Sequence, residues 1–241
     1  MDALTTDSFF NGRLQIRQPE HGYRFSIDAV LLAGHAAPQP QDLVLDLGTG
    51  CGIIPLILAY RNPKIKVYGV EVQQQLADLA GLNVKKNGME DRIVVCCMDM
   101  KELPTDDMIP GPMDLVVSNP PYRKALSGRL NPNRQRAVAR HEIKATLADV
   151  VETARRMLRV AGRLLMIYPA QRMTDLVIQM RAADIEPKFV RLVHSNAHAA
   201  AKLVLVEGKK QGRPGVKVGP PLIIYHEDGS YSSEVQEMLR S

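Results

Sequence analysis

From about residue 43 onward, short apolar runs alternate with stretches whose apolar positions recur every three or four residues. DLVLDLG (42–48) predicts a buried strand, IIPLILAYR (53–61) a helix ending near Asn62-Pro63, and KVYGVEV (66–72) a second strand. QQQLADLAGLNVKKNG (73–88) predicts a helix closed by Asn87-Gly88, a pair suited to a left-handed cap. RIVVCCMD (92–99) and MDLVVSN (113–119) read as the third and fourth strands. Residues 146–162 form an amphipathic helical pattern stopped by Gly162, and RLLMIYP (163–169) is a fifth strand. A helix near 171–182 and two closing strands, 186–194 and 201–208, complete the series. This alternation predicts an α/β fold: a doubly wound, mainly parallel, seven-stranded sheet covered on both faces.

The ends depart from this rhythm. SFFNGRLQIRQ (8–18) places Asn11-Gly12 between short alternating runs, a hairpin signal. SIDAVLLAGHA (26–36) reads as a helix with Ser26 at its N-cap. The tail after Gly208 is rich in Gly and Pro and offers one short strand, PLIIY (221–225). No internal repeat and no second domain is evident.

Composition narrows the class. Hydrophobic residues make up 45% of the 241 and charged residues 24%, enough apolar material for a full core. No apolar run reaches membrane-spanning length, and the first residues lack the basic flank of a signal peptide. Cys51, Cys96 and Cys97 show neither paired nor metal spacing, so they read as reduced, buried thiols of a cytoplasmic protein. The histidines form no metal set: HSNAH (194–198) lacks the glutamate of a zinc helix. Net charge is +5, and its distribution matters more: Arg123 to Arg140 contains six basic residues and no acidic one. A second basic stretch runs from Lys202 to Lys217.

Strand one ends in LDLGTGCGIIP, with Asp46, Gly48, Gly50 and Gly52 ahead of a helix. A dinucleotide fingerprint G-x-G-x-x-G would need glycine at position 53, which is Ile53. G-x-G-x-G with an acid two residues before it resembles instead the first motif of class I methyltransferases that use S-adenosylmethionine (AdoMet). Glu71, at the end of strand two, stands where an acid can accept both ribose hydroxyls. The resemblance assigns Asp99, ending strand three, to the cofactor's adenine amine. Val72 and Met100 adjoin these two acids as further cofactor contacts. All would lie at strand C-terminal ends, where open α/β sheets bind ligands.

SNPPY (118–122) follows strand four. Two prolines end a strand, because neither has an N–H for a ladder, and they hold the preceding Asn119 extended. Asn119-Pro120-Pro121-Tyr122 matches the fourth motif of AdoMet enzymes that methylate exocyclic or amide nitrogens. The resemblance implies that the Asn119 side-chain oxygen and the Pro120 carbonyl accept both N–H hydrogens of a planar amine. Tyr122 would stack on its ring. Such a nitrogen is a weak nucleophile, and acceptors aimed at its hydrogens favour the positively charged transition state.

YRFSIDAVLLA, the glycine loop, NPPY, NPN…ARHE and LVLVEG…PPLIIYHEDGSYSSEV together resemble the bacterial tRNA adenine methyltransferases over nearly the whole chain. That family methylates the exocyclic amine of the adenine beside the anticodon in a valine tRNA. The resemblance implies that Tyr23, Ser26 and Asp28 pack over the cofactor. It divides the chain into a covering hairpin and helix (1–42), the AdoMet-dependent domain (43–208) and an extension packed on it (209–241). One departure is Arg123, where members often carry a second aromatic.

RNA is the expected partner, tRNA above all, with Arg123, Lys124, Arg129, Arg134 and Arg136 on phosphates beside the pocket. No metal and no membrane is expected, and the protein would be a monomer or homodimer. Other readings remain: methylation of another rRNA base amine, or of a protein glutamine amide, which offers the same planar N–H pair. The glutamine enzymes usually carry a separate N-terminal domain, for which residues 1–42 are too few. An RNA-binding module without catalysis is disfavoured by Glu71, Asp99 and the complete NPPY, and a dinucleotide oxidoreductase by the missing glycine.

Overall fold

The computed structural model describes residues 4–21, 24–103, 109–120 and 145–240. Leu4–Phe9 (β1) and Leu14–Pro19 (β2) pair antiparallel, from Leu4 opposite Pro19 to Phe9 opposite Leu14. Between them Phe10, Asn11 and Gly12 all have positive φ (53°, 56° and 82°), so the turn does sit at the predicted Asn-Gly. Phe10, Leu14 and Ile16 are buried, which turns one face of this hairpin inward.

The main sheet contains Leu43–Leu47 (β3), Lys66–Glu71 (β4), Ile93–Cys97 (β5), Met113–Ser118 (β6), Leu158–Pro169 (β7), Ile185–His194 (β8) and Ala201–Lys210 (β9). Lys217–Val218 (β10) and Leu222–Ile223 (β11) both pair with β8. The order is β10-β8-β9-β7-β6-β3-β4-β5, with β9 antiparallel to its neighbours and the other pairings parallel. Among the described residues the sheet therefore holds nine strands: the expected seven, the short strand expected in PLIIY, which narrows to Leu222–Ile223, and Lys217–Val218, whose two residues are too few to carry a period.

Helices Ile27–His35 (α1), Ile53–Arg61 (α2), Gln74–Lys86 (α3) and Ser233–Arg240 (α6) share one core with the hairpin. Leu147–Met157 (α4) and Met173–Ala182 (α5) help to form the other. The strands alternate between the two layers: Val44 faces the first, while Leu45 and Leu47 face the second. α3 ends as expected, with Asn87 as its C-cap and Gly88 at φ 61°.

One boundary differs. The helical pattern 146–162 ends at Met157, and residues 158–162 open β7. Leu158 pairs with Met113, Ala161 has φ 62°, and the β6–β7 register shifts between Met113 and Leu115. Gly162 sits inside this irregular stretch, where a Cβ would lie 2.9 Å from the Arg159 carbonyl oxygen. It is required by close backbone approach rather than by a helix end. A second difference concerns Cys97. It is exposed because β5 is the outermost strand of the sheet, whereas Cys51 and Cys96 are buried. Among the described residues no helix is long and apolar enough to cross a membrane.

Candidate active site

A cleft of about 490 Å³ opens at the C-terminal ends of β3, β4, β5 and β6, within the usual size of a small-molecule site. β3 lies between β4, which follows it in sequence, and β6, which does not. That reversal of winding separates the loops leaving the two strands and leaves a crevice between them.

Gly48, Gly50 and Gly52 have φ of 79°, 58° and 84°, a left-handed path that residues with a side chain seldom follow. The loop consumes its own amides. The N–H groups of Gly48 and Thr49 both donate to the Val70 carbonyl at 2.9 Å, and Gly52 N–H donates to the Thr49 carbonyl at 3.0 Å. Gly50 N–H donates to Glu71 Oε2 at 3.0 Å. A pyrophosphate cradle needs such groups turned outward. These point inward, which disfavours a dinucleotide.

Glu71 is held rigidly. Its Oε1 accepts the Gln73 N–H at 3.0 Å, so each carboxylate oxygen is fixed by one backbone donor and keeps capacity for another. That is a suitable acceptor for a vicinal diol. Asp99 lines the same cleft; its Oδ1 accepts the Lys101 N–H at 2.9 Å, and Lys101 Nζ lies 3.3 Å from Oδ2. Val72, Met100 and Gly48 also line it.

Asp46, Gly50 and Gly52 do not line the cleft. Asp46 is fully buried, and among the described residues its two carboxylate oxygens and the Thr49 hydroxyl find no hydrogen-bond partner. Burial pushes its carboxyl up to about 7; the nearby Thr49 hydroxyl counters this, without meeting hydrogen-bond geometry, and the Glu71 charge adds to it. Gly52 is needed for packing, since a Cβ there would lie 3.2 Å from Ala80 Cβ.

Ser26 and Asp28 both line the cleft, with Arg24 and Phe25 beside them. Ser26 occupies the N-cap position of α1 but makes no capping bond; its hydroxyl lies close enough to the Asp28 carboxylate to favour the charged form. Burial still raises the Asp28 carboxyl above its ordinary range. Opposite, Asn119 and Pro120 form part of the cleft wall. Ser118 fixes them there: its Oγ donates to the Leu47 carbonyl at 2.8 Å, tying the ends of β6 and β3 together. Tyr23, Pro121, Tyr122, Arg123, Lys124, Arg129, Arg134 and Arg136 lie outside the described residues.

The donors and acceptors fit AdoMet. Asp28, Glu71 and Asp99 present carboxylates to one cleft, a field suited to a cation bearing a ribose, and the inward amides leave no seat for phosphates. Among the described residues no cluster of three or more metal-ligating side chains occurs. His194 Nδ1 instead contacts the Ala199 carbonyl at 2.7 Å, and His198 Nε2 meets Glu227 at 3.2 Å.

Sequence reasoning missed Ser118, Gln18 and Asn83. Only Asn83 left a signal, as an amide interrupting the apolar stripe Leu76, Leu79, Ala80, Val84 of α3.

The model of the methyltransferase small domain matches residues 24–189. A tRNA1(Val) (adenine(37)-N6)-methyltransferase of Porphyromonas gingivalis is 33% identical over 239 residues, 96% of this chain and 92% of that protein. A protein of the same name from Dyadobacter fermentans is 25% identical over 230 residues, 94% of this chain and 92% of that one. A solved structure described as a predicted O-methyltransferase of Agrobacterium tumefaciens superposes with a TM-score of 0.71 at 22% identity, covering 89% of this chain and 97% of its own, which shows the fold. The family match spans the glycine loop, the acids and the Asn-Pro elbow alike, and the chain belongs to the methyltransferase small-domain family.

Proposed function

We propose that this protein transfers a methyl group from AdoMet to the exocyclic amine of an adenine in tRNA, adenine 37 of tRNA1(Val), as its relatives are named. One observation carries the reading. Asn119 and Pro120 line the same cleft as Glu71, Asp99 and Gly48, so amine acceptors and cofactor groups share one cavity.

Glu71 holds the ribose, Asp99 the adenine amine, and Asp28 with Ser26 closes the opposite wall. Bound AdoMet supplies a sulfonium methyl open to in-line displacement. The Asn119 side-chain oxygen and the Pro120 carbonyl accept the two N–H hydrogens of the incoming amine and turn its lone pair toward that methyl. As the N–C bond forms and the S–C bond breaks, leaving S-adenosylhomocysteine (AdoHcy), positive charge would pass from sulfur to nitrogen and these acceptors would strengthen. The surplus proton then leaves to solvent. Such a site accelerates by positioning and preorganised dipoles rather than by a strong base. Tyr122 stacks on the base, with Tyr23 over the cofactor.

Residues 1–42 cover the site, 43–208 bear the chemistry, and 209–241 pack on the same body. Arg123, Lys124, Arg129, Arg134 and Arg136 contact phosphates, so RNA affinity falls steeply with salt. The protein works as a monomer or homodimer in the cytoplasm.

The test supplies labelled AdoMet with tRNA, rRNA and release factor in one reaction. Label in N6-methyladenine of tRNA, lost when adenine 37 is changed to guanine, is expected. Label in a protein glutamine, with none in nucleic acid, reverses the assignment.

A further inference from the structure

We infer that Gln18 is a positioning residue for cofactor binding, holding residues 24–28 as one wall of the cleft. The inference rests on the reading that the cleft holds AdoMet. Gln18 is 2% exposed, at the inner end of β2. Its Oε1 accepts the Phe25 N–H at 3.2 Å, and its Nε2 donates to Asp7 Oδ2. Only this amide orientation satisfies both neighbours, a backbone donor on one side and a carboxylate on the other.

Arg24, Phe25 and Ser26 belong to no helix or strand, so no ladder sets their backbone. The Gln18 amide takes the place of a neighbouring strand and fixes the middle of this stretch. Other ties exist, but they are of a weaker kind. The Arg24 guanidinium donates to Thr5 Oγ1 at 2.7 Å and to the Pro19 carbonyl at 3.0 Å, and lies 3.6 Å from Asp7, all at exposed or half-exposed positions. Water competes with those contacts and replaces them when they break. Gln18 itself is shielded from water and its bond to Phe25 is half-buried, so water replaces this acceptor less well than those of Arg24. Phe25 packs on Phe9 at 5.7 Å between ring centroids, which couples the wall to β1 as well. Freed from Gln18, the segment samples other backbone states, and Ser26 and Asp28 no longer face the cofactor in a single arrangement.

Calorimetric titration with AdoMet tests this on the full chain. Gln18→Ala is expected to raise Kd about tenfold or more. Gln18→Met, which keeps the volume but removes the acceptor, is expected to do the same, and serves where the alanine variant is too unstable to titrate. KM for AdoMet should rise in parallel, while kcat at saturating AdoMet and KM for tRNA stay near wild type. A loss of fold alone would not produce that split. Gln18→Glu alone sets a carboxylate against Asp7 and weakens binding. Combining it with Asp7→Asn reverses donor and acceptor, keeps the acceptor for Phe25 N–H, and should restore Kd to within threefold of wild type. Wild-type binding with an unchanged Kd in Gln18→Met overturns the inference alone. So does a double variant that melts like wild type yet binds weakly. A wild-type protein that binds no AdoMet overturns the reading of the cleft together with it.

Discussion

Asn83 Oδ1 accepts the Arg17 N–H at 2.8 Å, and Asn83 Nδ2 returns a hydrogen bond to the Arg17 carbonyl at 2.8 Å. A helix side chain thereby meets β2 as a neighbouring strand would. One turn later Asn87 does the same to Gln15, accepting its N–H at 3.0 Å and donating to its carbonyl at 2.7 Å. The i, i+4 spacing of α3 matches the i, i+2 spacing along one edge of the strand. The second Nδ2 hydrogen of Asn83 goes to the Cys51 carbonyl at 2.9 Å, so hairpin, helix and glycine loop meet at one buried amide.

Replacing Asn83 by Leu should therefore cost about 3 kcal/mol, because three backbone groups lose their buried partner while the apolar volume is kept. Urea unfolding measures it. A loss under about 0.5 kcal/mol would show that water satisfies those groups and that the amide is incidental.

Glu71 accepts one backbone N–H on each oxygen. Glu71→Gln turns an amide NH2 toward either the Gly50 or the Gln73 donor. We expect roughly 10- to 100-fold weaker AdoMet binding, with AdoHcy weakened to the same degree, since both carry the ribose. Titration of the two ligands checks this. A variant weakened for AdoMet only would assign Glu71 to the sulfonium rather than to the diol.

Gly48 and Gly52 share a left-handed φ but differ in surroundings. A Cβ on Gly48 meets no atom within 4 Å, and that residue lines the cleft; a Cβ on Gly52 meets Ala80 at 3.2 Å. Both alanine variants carry backbone strain of about 1–2 kcal/mol. Gly48→Ala should lower AdoMet affinity further by placing a methyl in the cleft. Gly52→Ala should lower Tm more and affinity less. Equal effects on both measurements would mean that the loop moves as one unit.

Asp46 sets a pH dependence of stability. In the native state its carboxyl titrates at about 7, whereas an unfolded chain holds it near about 3.9. Between those values the native state keeps a proton that the unfolded chain has lost. Stability therefore falls as pH rises from roughly 4 to roughly 7, and the deficit is complete above that range. Asp46→Asn is neutral throughout. The difference in Tm, variant minus wild type without cofactor, should grow by several degrees between pH 5 and pH 8, corresponding to a few kcal/mol. A difference that does not change with pH would place the titration elsewhere.

Asn119→Ala removes one of the two proposed amine acceptors. Single-turnover methylation should slow about 100-fold, with AdoMet affinity within a few-fold of wild type. A rate within threefold of wild type would remove Asn119 from the chemistry.

Periodicity and punctuation made most of this molecule legible. Four β–α alternations, the Asn11-Gly12 turn and the Asn87-Gly88 cap follow from local rules, because each depends on residues close together in the chain. The placement of Gly48, Glu71, Asp99 and Asn119 around one cleft was legible too, since strand ends in a parallel sheet converge whatever the details of packing. The chain alone could not show that Met157 ends a helix, because Leu158 is drawn away by pairing with Met113, 45 residues earlier. Nor could it show that Asp46 is buried away from the cleft while Glu71 reaches it, which depends on how Thr49 and the loop fold over Gly69. Gln18, Ser118 and Asn83 bond to backbone groups outside their own elements, for Ser118 and Asn83 in distant segments. A hydrogen bond to a main-chain amide leaves no mark on the partner's identity, so only the folded chain reveals which atoms these side chains satisfy.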